Sequence, residues 1–584
     1  MFLISLTKGN QNGIETYFHL VLLIGFALDA MLVDGRNTNV TKPHIILIVA
    51  DDLGWDDVGF HGSDQIQTPN IDALAYNGVI LNRHYTLPVC TPSRTALMTG
   101  RYPIREGMQG VPLFTGEARG VPLNVTLMPE HLKKLGYRTN LVGKWHLGYS
   151  SKKYTPTQRG FDYFYGYYNG LINYYGHTTT SFLKEDGKRR RRIVGHDLHR
   201  DMGTSYKVPR ESGYFTDIIT TEAANIIRDN ANREPLFLEI SHLAVHIGSS
   251  EIPLEVANLS EVNRTFSYIK DIKRRNFTGM VKALDESVGR IVEVLEENQM
   301  LNNSIIVFIS DNGAPTSGKF GNSGSNYPLR GMKNSLFEGG VRSAACIFSP
   351  LINSPSRLSK QLMHIADWLP TLYTAAGGNI DDLGEIDGVN QWPTINSDSE
   401  SPRKALLLNI NEKYGTEGAI IGNYKLIRGT MASTDGYEGN INDLPEVAVN
   451  RIEEALSSDA GLSIMQLSEF TTVSEDVAWT LRESAVVQCE SQDEKFHTRC
   501  SEICLFNIEN DPCEIENLAV GHPKIVSELE AFIDEYRVDL VKQSDLKLDR
   551  CSNPEYFNGT FMPWKLDPGE KSHISIDGCR HPVY

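Results

Sequence analysis

The chain predicts an α/β fold built on a large, mainly parallel or mixed sheet sandwiched between helices, and three observations predict it. Five short aliphatic runs recur within the first 350 residues, helical patterns separate them, and the runs break off abruptly at polar residues. A strand buried on both faces reads as an unbroken apolar run, and alternation of such strands with helices closes into a largely parallel sheet.

In chain order, His44 to Ala50 run into Asp51-Asp52, and Tyr137 to Val142 into Gly143-Lys144-Trp145-His146. Leu236 to Ile240 lead to Ser241-His242, with His246 just beyond. Ile305 to Ile309 lead to Ser310-Asp311-Asn312-Gly313, and Ala344 to Phe348 to Ser349-Pro350. Between them, Asn70 to Asn77, Pro129 to Leu135 (stopped by Gly136) and Met280 to Glu297 carry helical patterns. The carboxyl ends of parallel strands share one edge, and ligands bind in the crevice outside it. Clusters as distant in sequence as Asp51 and Asp311 are therefore expected to meet. After about Pro402 the strands shorten, as at Tyr424 to Arg428, and an acidic helical segment and a Cys-rich tail follow. The expected organisation is a leader over 1–35, a catalytic domain over 36–402, and a smaller C-terminal α+β domain with an antiparallel sheet over 403–584.

The 584 residues are 40% hydrophobic and 22% charged, with a net charge of −17. That balance excludes a sequence-independent nucleic-acid binder, which needs a basic footprint. Between Glu438 and Glu494, 13 acidic residues face only Arg451 and Arg482, so most of the excess sits there and the remainder leaves room for an anionic substrate. The apolar run Leu20 to Leu28 is far short of the roughly 20 residues of a membrane span and reads as a signal-peptide core, with Ala30 or Gly35 as cleavage points. No membrane span is expected elsewhere. Sequons at Asn39, Asn124, Asn258, Asn263, Asn276, Asn302 and Asn558 agree with a secretory route, lysosomal or extracellular. Six of the eight cysteines, Cys489, Cys500, Cys504, Cys513, Cys551 and Cys579, predict three C-terminal bridges, with the neighbours Cys504 and Cys513 as one candidate pair. Cys346 reads as a core thiol, which leaves Cys90 over. The basic run Lys188 to Arg192 reads as an exposed loop, with a processing site or a polyanion contact as alternatives. The aromatic run Tyr163 to Tyr175 reads either as a sugar or aryl platform or as core.

Asp51, Asp52, Asp311 and Asn312 would bring only oxygen donors to one point on the sheet edge, a set that selects Ca²⁺ or Mg²⁺ over zinc. Either pair alone has a plainer reading as a helix cap or a solvated turn. Together they would repel without a cation. Cys90 opens Cys-Thr-Pro-Ser-Arg; Thr91 as N-cap and Pro92 as first helical residue would set the Cys90 side chain at the positive end of a helix dipole, where an anion is favoured.

At these residues the chain resembles the type I, formylglycine-dependent sulfatases, most closely the arylsulfatase B group. Cys90, Pro92, Ser93 and Arg94 match the family signature. Ala50-Asp51-Asp52-Leu53-Gly54-Trp55, Gly143-Lys144-Trp145-His146-Leu147-Gly148, Arg159-Gly160-Phe161-Asp162, Ser310-Asp311-Asn312-Gly313, Pro328-Leu329-Arg330-Gly331-Met332-Lys333 and Phe337-Glu338-Gly339-Gly340-Val341-Arg342 carry the likeness to about Asp387. The resemblance implies an alkaline-phosphatase-like fold and hydrolysis of sulfate monoesters. Substrates would be sulfated sugars such as N-acetylgalactosamine 4-sulfate, or small aryl and metabolite sulfates. It implies one Ca²⁺ held by Asp51, Asp52, Asp311, Asn312 and the modified Cys90, and conversion of Cys90 to formylglycine by the formylglycine-generating enzyme. By the same resemblance Arg94 steadies the hydrated aldehyde and His146 is the base that regenerates it. Lys144 and Lys333 hold the sulfate, and His246 with Lys333 assists departure of the alcohol. A phosphate or phosphonate monoesterase of the same superfamily and an inactive carbohydrate-binding relative are the alternatives. Many relatives follow the His246 position with x-Pro; here Ile247-Gly248 follows, and the N-terminal half lacks the extra cysteines that pin pocket loops in the arylsulfatase B group, which leaves the segment around His177 to Asp201 free to differ, so the differences bear on substrate.

Overall fold

The computed structural model describes residues 42–584 apart from 186–188, 250, 319, 430–433, 435, 437–442, 446–449, 490–499, 501, 545–547, 575–577 and 583–584. The expected leader and the sequon at Asn39 lie outside the described residues.

Strand β1 (His44–Ala50) packs on both faces: Ile45, Leu47 and Val49 enter one apolar cluster, and Ile46, Ile48 and Ala50 another. Both faces need apolar side chains, which is why the run shows no alternation. The other strands of its sheet are β2 (Val79–Leu81), β3 (Arg138–Lys144), β4 (Tyr163–Tyr167), β5 (His199–Asp201), β6 (Tyr206–Lys207), β7 (Leu236–Ser241), β8 (Ser304–Ser310), β9 (Ala345–Phe348) and β10 (Arg357–Ser359). The ten strands lie in the order β10-β2-β9-β8-β1-β7-β3-β4-β5-β6. The five central strands, β8, β1, β7, β3 and β4, are parallel. Ser310 lies opposite Ala50, and Ser241 opposite both Val49 and Gly143, so their carboxyl ends finish level.

Helices Pro69–Asn77, Phe215–Asn230 and Ile272–Glu297 cover one face. The last begins two turns earlier than its apolar pattern, where the Asp271 side chain accepts from Arg274 N. Acidic-segment helices Arg451–Leu456, Asp459–Met465 and Glu475–Ala485 join this layer, docked by Ala460 N on Asn70 Oδ1 and Val473 N on Asn77 Oδ1. Helix α1 (Cys90–Thr99) and helices Met128–Lys134 and Trp368–Ala375 cover the opposite face. No described helix is long and apolar enough to cross a membrane.

Three expectations are corrected. The run ending at Phe348 is antiparallel to β8, so Ser349-Pro350 leaves from the far edge. Among its described residues, the chain between β8 and β9 carries only the short helix Glu338–Val341 and returns along the edge it left, where a parallel crossover would need to traverse the sheet. Arg189 to Arg192 are not a loop: they open the second strand of a hairpin, Thr178–Glu185 with Arg189–His196. Cys504 pairs with Cys500, and Cys513 with Cys489, while Cys551 pairs with Cys579. Cys504 thus takes the nearer cysteine, four residues before it, while Cys513, in the turn beyond the strand, reaches back 24 residues to Cys489. Cys346 and Cys90 are buried and unbridged. Tyr165, Tyr167, Tyr168 and Tyr174 are buried core, not a platform.

A separate antiparallel sheet follows, formed by β11 (Ala405–Asn411), β12 (Thr416–Ile421), β13 (Tyr424–Arg428) and β14 (Ile503–Asn507). From β13, Lys425 reaches Glu338 Oε1 at 2.8 Å and Glu514 Oε1 at 2.9 Å, all three side chains fully buried. One ammonium cannot neutralise two carboxylates. Burial raises both, but Lys425 and Arg342 bring Glu338 below its usual value, whereas burial and the neighbouring Glu338 charge push Glu514 up to about 7 despite Lys425.

A carboxyl whose folded pKa is raised stabilises fully below its unfolded pKa, and that stability is lost as pH rises through the folded value. Denaturant titration should therefore show stability declining from about pH 4.5 towards 7, with Glu514→Gln flattening that slope. Lys425→Met should cost about 3–5 kcal/mol by stranding two buried carboxyls; an unchanged denaturation midpoint would contradict the brace.

Candidate active site

Asp51 and Asp52 leave β1, Asp311 and Asn312 leave the adjacent β8, and parallel pairing sets the two doublets side by side. Asp52 N lies 3.3 Å from Asp311 Oδ1, and Asn312 Nδ2 donates to Asp52 Oδ1 at 2.6 Å. Asp52 has φ 63°, a left-handed turn that aspartate tolerates. Asp51, Asp52, Asp311 and Asn312 are all buried. Buried carboxylates persist only when paired. Lys144, at the end of β3, donates to Asp51 at 2.6 Å, and Lys333, from the loop after β8, donates to both Asp52 oxygens at 2.6 and 2.8 Å. Burial alone would raise both aspartates; Lys144, His246 and Arg94 hold Asp51 below the usual carboxylate range, and Lys333 and His246 do so for Asp52. Burial and the Asp51 charge hold Asp311 above its usual value, against Arg94.

Cys90 is the first residue of α1, which corrects the expected cap: Val89 takes the N-cap position, and Pro92 falls in the first turn, where a missing N–H costs nothing. Thr91 Oγ1 is engaged instead by Leu113 N at 3.0 Å and faces His146 Nε2 at 3.3 Å. The Cys90 thiol still sits at the helix start. One turn on, Arg94 points the same way and donates from Nε to Asp311 Oδ2 at 2.9 Å, with another donation to the Ser241 hydroxyl. Burial pushes the Cys90 thiol up despite Lys144 and Lys333, so the unmodified side chain is a protonated thiol and a poor nucleophile.

His146 Nε2 lies 3.0 Å from Leu113 O, and burial, reinforced by the Lys144 charge, holds the ring well below its usual value, hence neutral. His246 Nε2 lies 3.5 Å from Asp52 Oδ2, with Nδ1 2.8 Å from Ile247 O. Burial lowers it too, against the pull of Asp52 and Asp51. The structure thus brings all ten anticipated residues to one edge.

Two buried oxygens, Asp51 Oδ1 and Asn312 Oδ1, accept no hydrogen bond. Asp51, Asp52 and His246 also offer ligand atoms within 4.8 Å of one another. Bare oxygens among carboxylates fit a hard cation such as Ca²⁺.

A family model described as Sulfatase matches residues 43–378. The chain belongs to the sulfatase family. Arylsulfatase J of Mus musculus is 34% identical over 545 residues, covering 92% of this chain and 83% of that protein. N-acetylgalactosamine-6-sulfatase of Homo sapiens is 31% identical, covering 60% of this chain and 66% of that one. The crystal structure of Ps i-CgsB in complex with k-i-k-neocarrahexaose is similar with a TM-score of 0.65 and 26% identity, covering 89% of this chain and all of that one. The sulfatase is accordingly a hydrolase of sulfate esters by family, on the fold its aliphatic runs predict.

Sequence reading missed the residues that hold the machinery. Ser241 receives Arg94, Thr91 and Leu113 seat His146, Asn322 donates to Asp52 O and Val245 O, and Tyr174 OH donates to His246 O. Thr91 lies inside the signature and Ser241 ends the aliphatic strand β7; Leu113, Asn322 and Tyr174 lie in loops without periodicity. Gly170 belongs with them, because a Cβ there would lie 2.9 Å from His146 Cε1 and Nε2. Gly170→Ala should lower kcat about tenfold or more by displacing that ring, while the melting temperature stays within about 3 °C. Unaltered turnover would show that the ring has slack.

Proposed function

We propose that the sulfatase cleaves sulfate monoesters of sugars, with small aryl sulfates as surrogate substrates, using Cys90 as formylglycine and one Ca²⁺. The observation that supports this best is the charge-balanced cluster: three buried carboxylates against Arg94, Lys144 and Lys333, beside a thiol too protonated to act unmodified. Asp51, Asp52, Asp311 and Asn312 hold the ion in this reading, with Cys90 beside them. Bound there, a divalent cation would polarise the ester oxygens and turn a balanced cluster into a cationic one suited to an anion. The hydrated aldehyde of Cys90 supplies two hydroxyls, one to attack sulfur and one whose deprotonation lets sulfate leave.

The chain's own residues do the rest. Lys144 and Lys333 hold the sulfate oxygens, and Arg94 fixes the oxidised side chain at the start of α1. Neutral His146 accepts a proton, and His246 with Lys333 gives one to the departing alcohol. Burial excludes competing water from all of them. A sugar substrate is favoured by the relatives, one named for N-acetylgalactosamine-6-sulfate hydrolysis and one crystallised with a neocarrahexaose. Passage through a secretory lumen, where the formylglycine-generating enzyme acts, agrees with exposed sequons at Asn124, Asn258, Asn263, Asn302 and Asn558.

Active protein should release p-nitrophenol from the sulfate ester far faster than from the phosphate, and its Cys90 peptide should weigh about 18 Da less than the thiol form. Preference for phosphate, or full activity with an intact thiol, would overturn the assignment. Asp311→Ala should abolish Ca²⁺ binding in calorimetry together with turnover, and retention of both would remove that residue from the metal site.

A further inference from the structure

We propose that the basic hairpin Thr178–Glu185/Arg189–His196 is a docking strip for the polyanionic chain of a multiply sulfated polysaccharide, feeding its sulfate esters to the catalytic cleft. This rests on the sulfatase reading and deepens it.

The placement comes from the hairpin's anchors. Ser181 Oγ donates to Thr115 O at 2.8 Å, two residues from the Leu113 carbonyl that faces His146. Ser249 Oγ donates to Thr178 O, two residues from the Ile247 carbonyl that faces His246. The first strand therefore leaves directly from the segments that seat both histidines. The second returns against the tail: His196 N donates to Gly559 O, Phe561 N donates to His196 O, and the loop bearing these residues is closed by Cys551–Cys579. Eight-residue strands reach about 26 Å from that base.

Register then sorts the faces. Thr180 lies opposite Val194, Phe182 opposite Arg192, and Lys184 opposite Arg190. Phe182, Arg192 and Val194 are exposed, whereas Ser181, Ile193 and Gly195 are buried against the body. Among the described side chains the outer face thus sets the Arg192 cation beside the apolar surface of Phe182 and Val194, with Arg191 exposed next to it. Arg191 makes an exposed ion pair with Glu555, which a competing sulfate would displace at little cost. Consecutive arginines in a chain of net charge −17 are not explained by solubility, and the strip offers guanidinium forks to sulfates and an aromatic face to sugar rings. A polyanion lying along it would meet the cluster of Lys144 and Lys333 at the strip's base.

The test uses the full-length sulfatase with p-nitrophenyl sulfate as reporter and heparin as polysulfated probe, desulfated heparin serving as control. Wild-type turnover should be inhibited competitively by heparin, with inhibition fading as salt rises. Arg190→Ser/Arg191→Ser/Arg192→Ser should raise the heparin inhibition constant roughly tenfold or more, leaving kcat/KM for p-nitrophenyl sulfate unchanged. The triple lysine variant, which keeps charge, should retain most of the inhibition. Equal heparin inhibition of wild type and serine variant, or none of the wild type, would overturn the proposal. Absence of p-nitrophenyl sulfate turnover would instead refute the sulfatase reading, and retention on immobilised heparin, lost in the serine variant, would still decide the hairpin's role.

Discussion

Three carboxylates, Asp51, Asp52 and Asp311, are buried at one edge of the sheet, and the rest of the molecule is arranged around keeping that tolerable. Parallel pairing of β1 with β8 forces the doublets together, since both strands end at the same level. The compensating cations come from three different directions: Arg94 from a helix, Lys144 from the strand beyond β7, Lys333 from a loop. Buried charge is tolerated only with paired partners and satisfied hydrogen bonds, so the fold must deliver all three at once. The cluster therefore couples the integrity of the whole sheet edge to the state of one site.

The sheet was legible because double burial leaves a mark that no other element leaves. His44–Ala50 was read to the residue, and the two acidic doublets were placed correctly from parallel geometry alone. Strand direction was not legible: Ala345–Phe348 carries the same aliphatic signature as its parallel neighbours, yet its sense is set by the connection before it. The same limit applies to Arg189–His196, where the charged run hides the alternation of exposed and buried positions from Arg192 to Gly195. Side chains that carry charge announced themselves, but Asn322 and Gly170 act through contacts made by folding, and no local pattern distinguishes them from ordinary loop residues; Ser241 ends a legible strand, yet nothing local marks it as the acceptor for Arg94.

The small C-terminal sheet is tied to this arrangement electrostatically. Glu338 begins the short helix that closes the loop carrying Lys333, and its carboxylate is met by Lys425 from β13 and by Tyr85 OH. That loop is also pinned by Asn326, which bonds Ala314 on both its N–H and carbonyl and also reaches the Gly331 carbonyl. A lysine with this much slack removed is held by two layers of structure rather than by its own rotamer preference.

The start of α1 carries one more consequence. From Cys90 to Arg94 the chain is buried and already wound into helix, with Thr91 locked against Leu113 and Arg94 against Asp311. In the proposed maturation, an enzyme acting on Cys90 would have to reach these five residues before the fold buries them. Under the proposed chemistry, burial of that thiol sets maturation against folding: a chain that closed over an unconverted Cys90 would hold its reactive position out of reach inside an otherwise native fold.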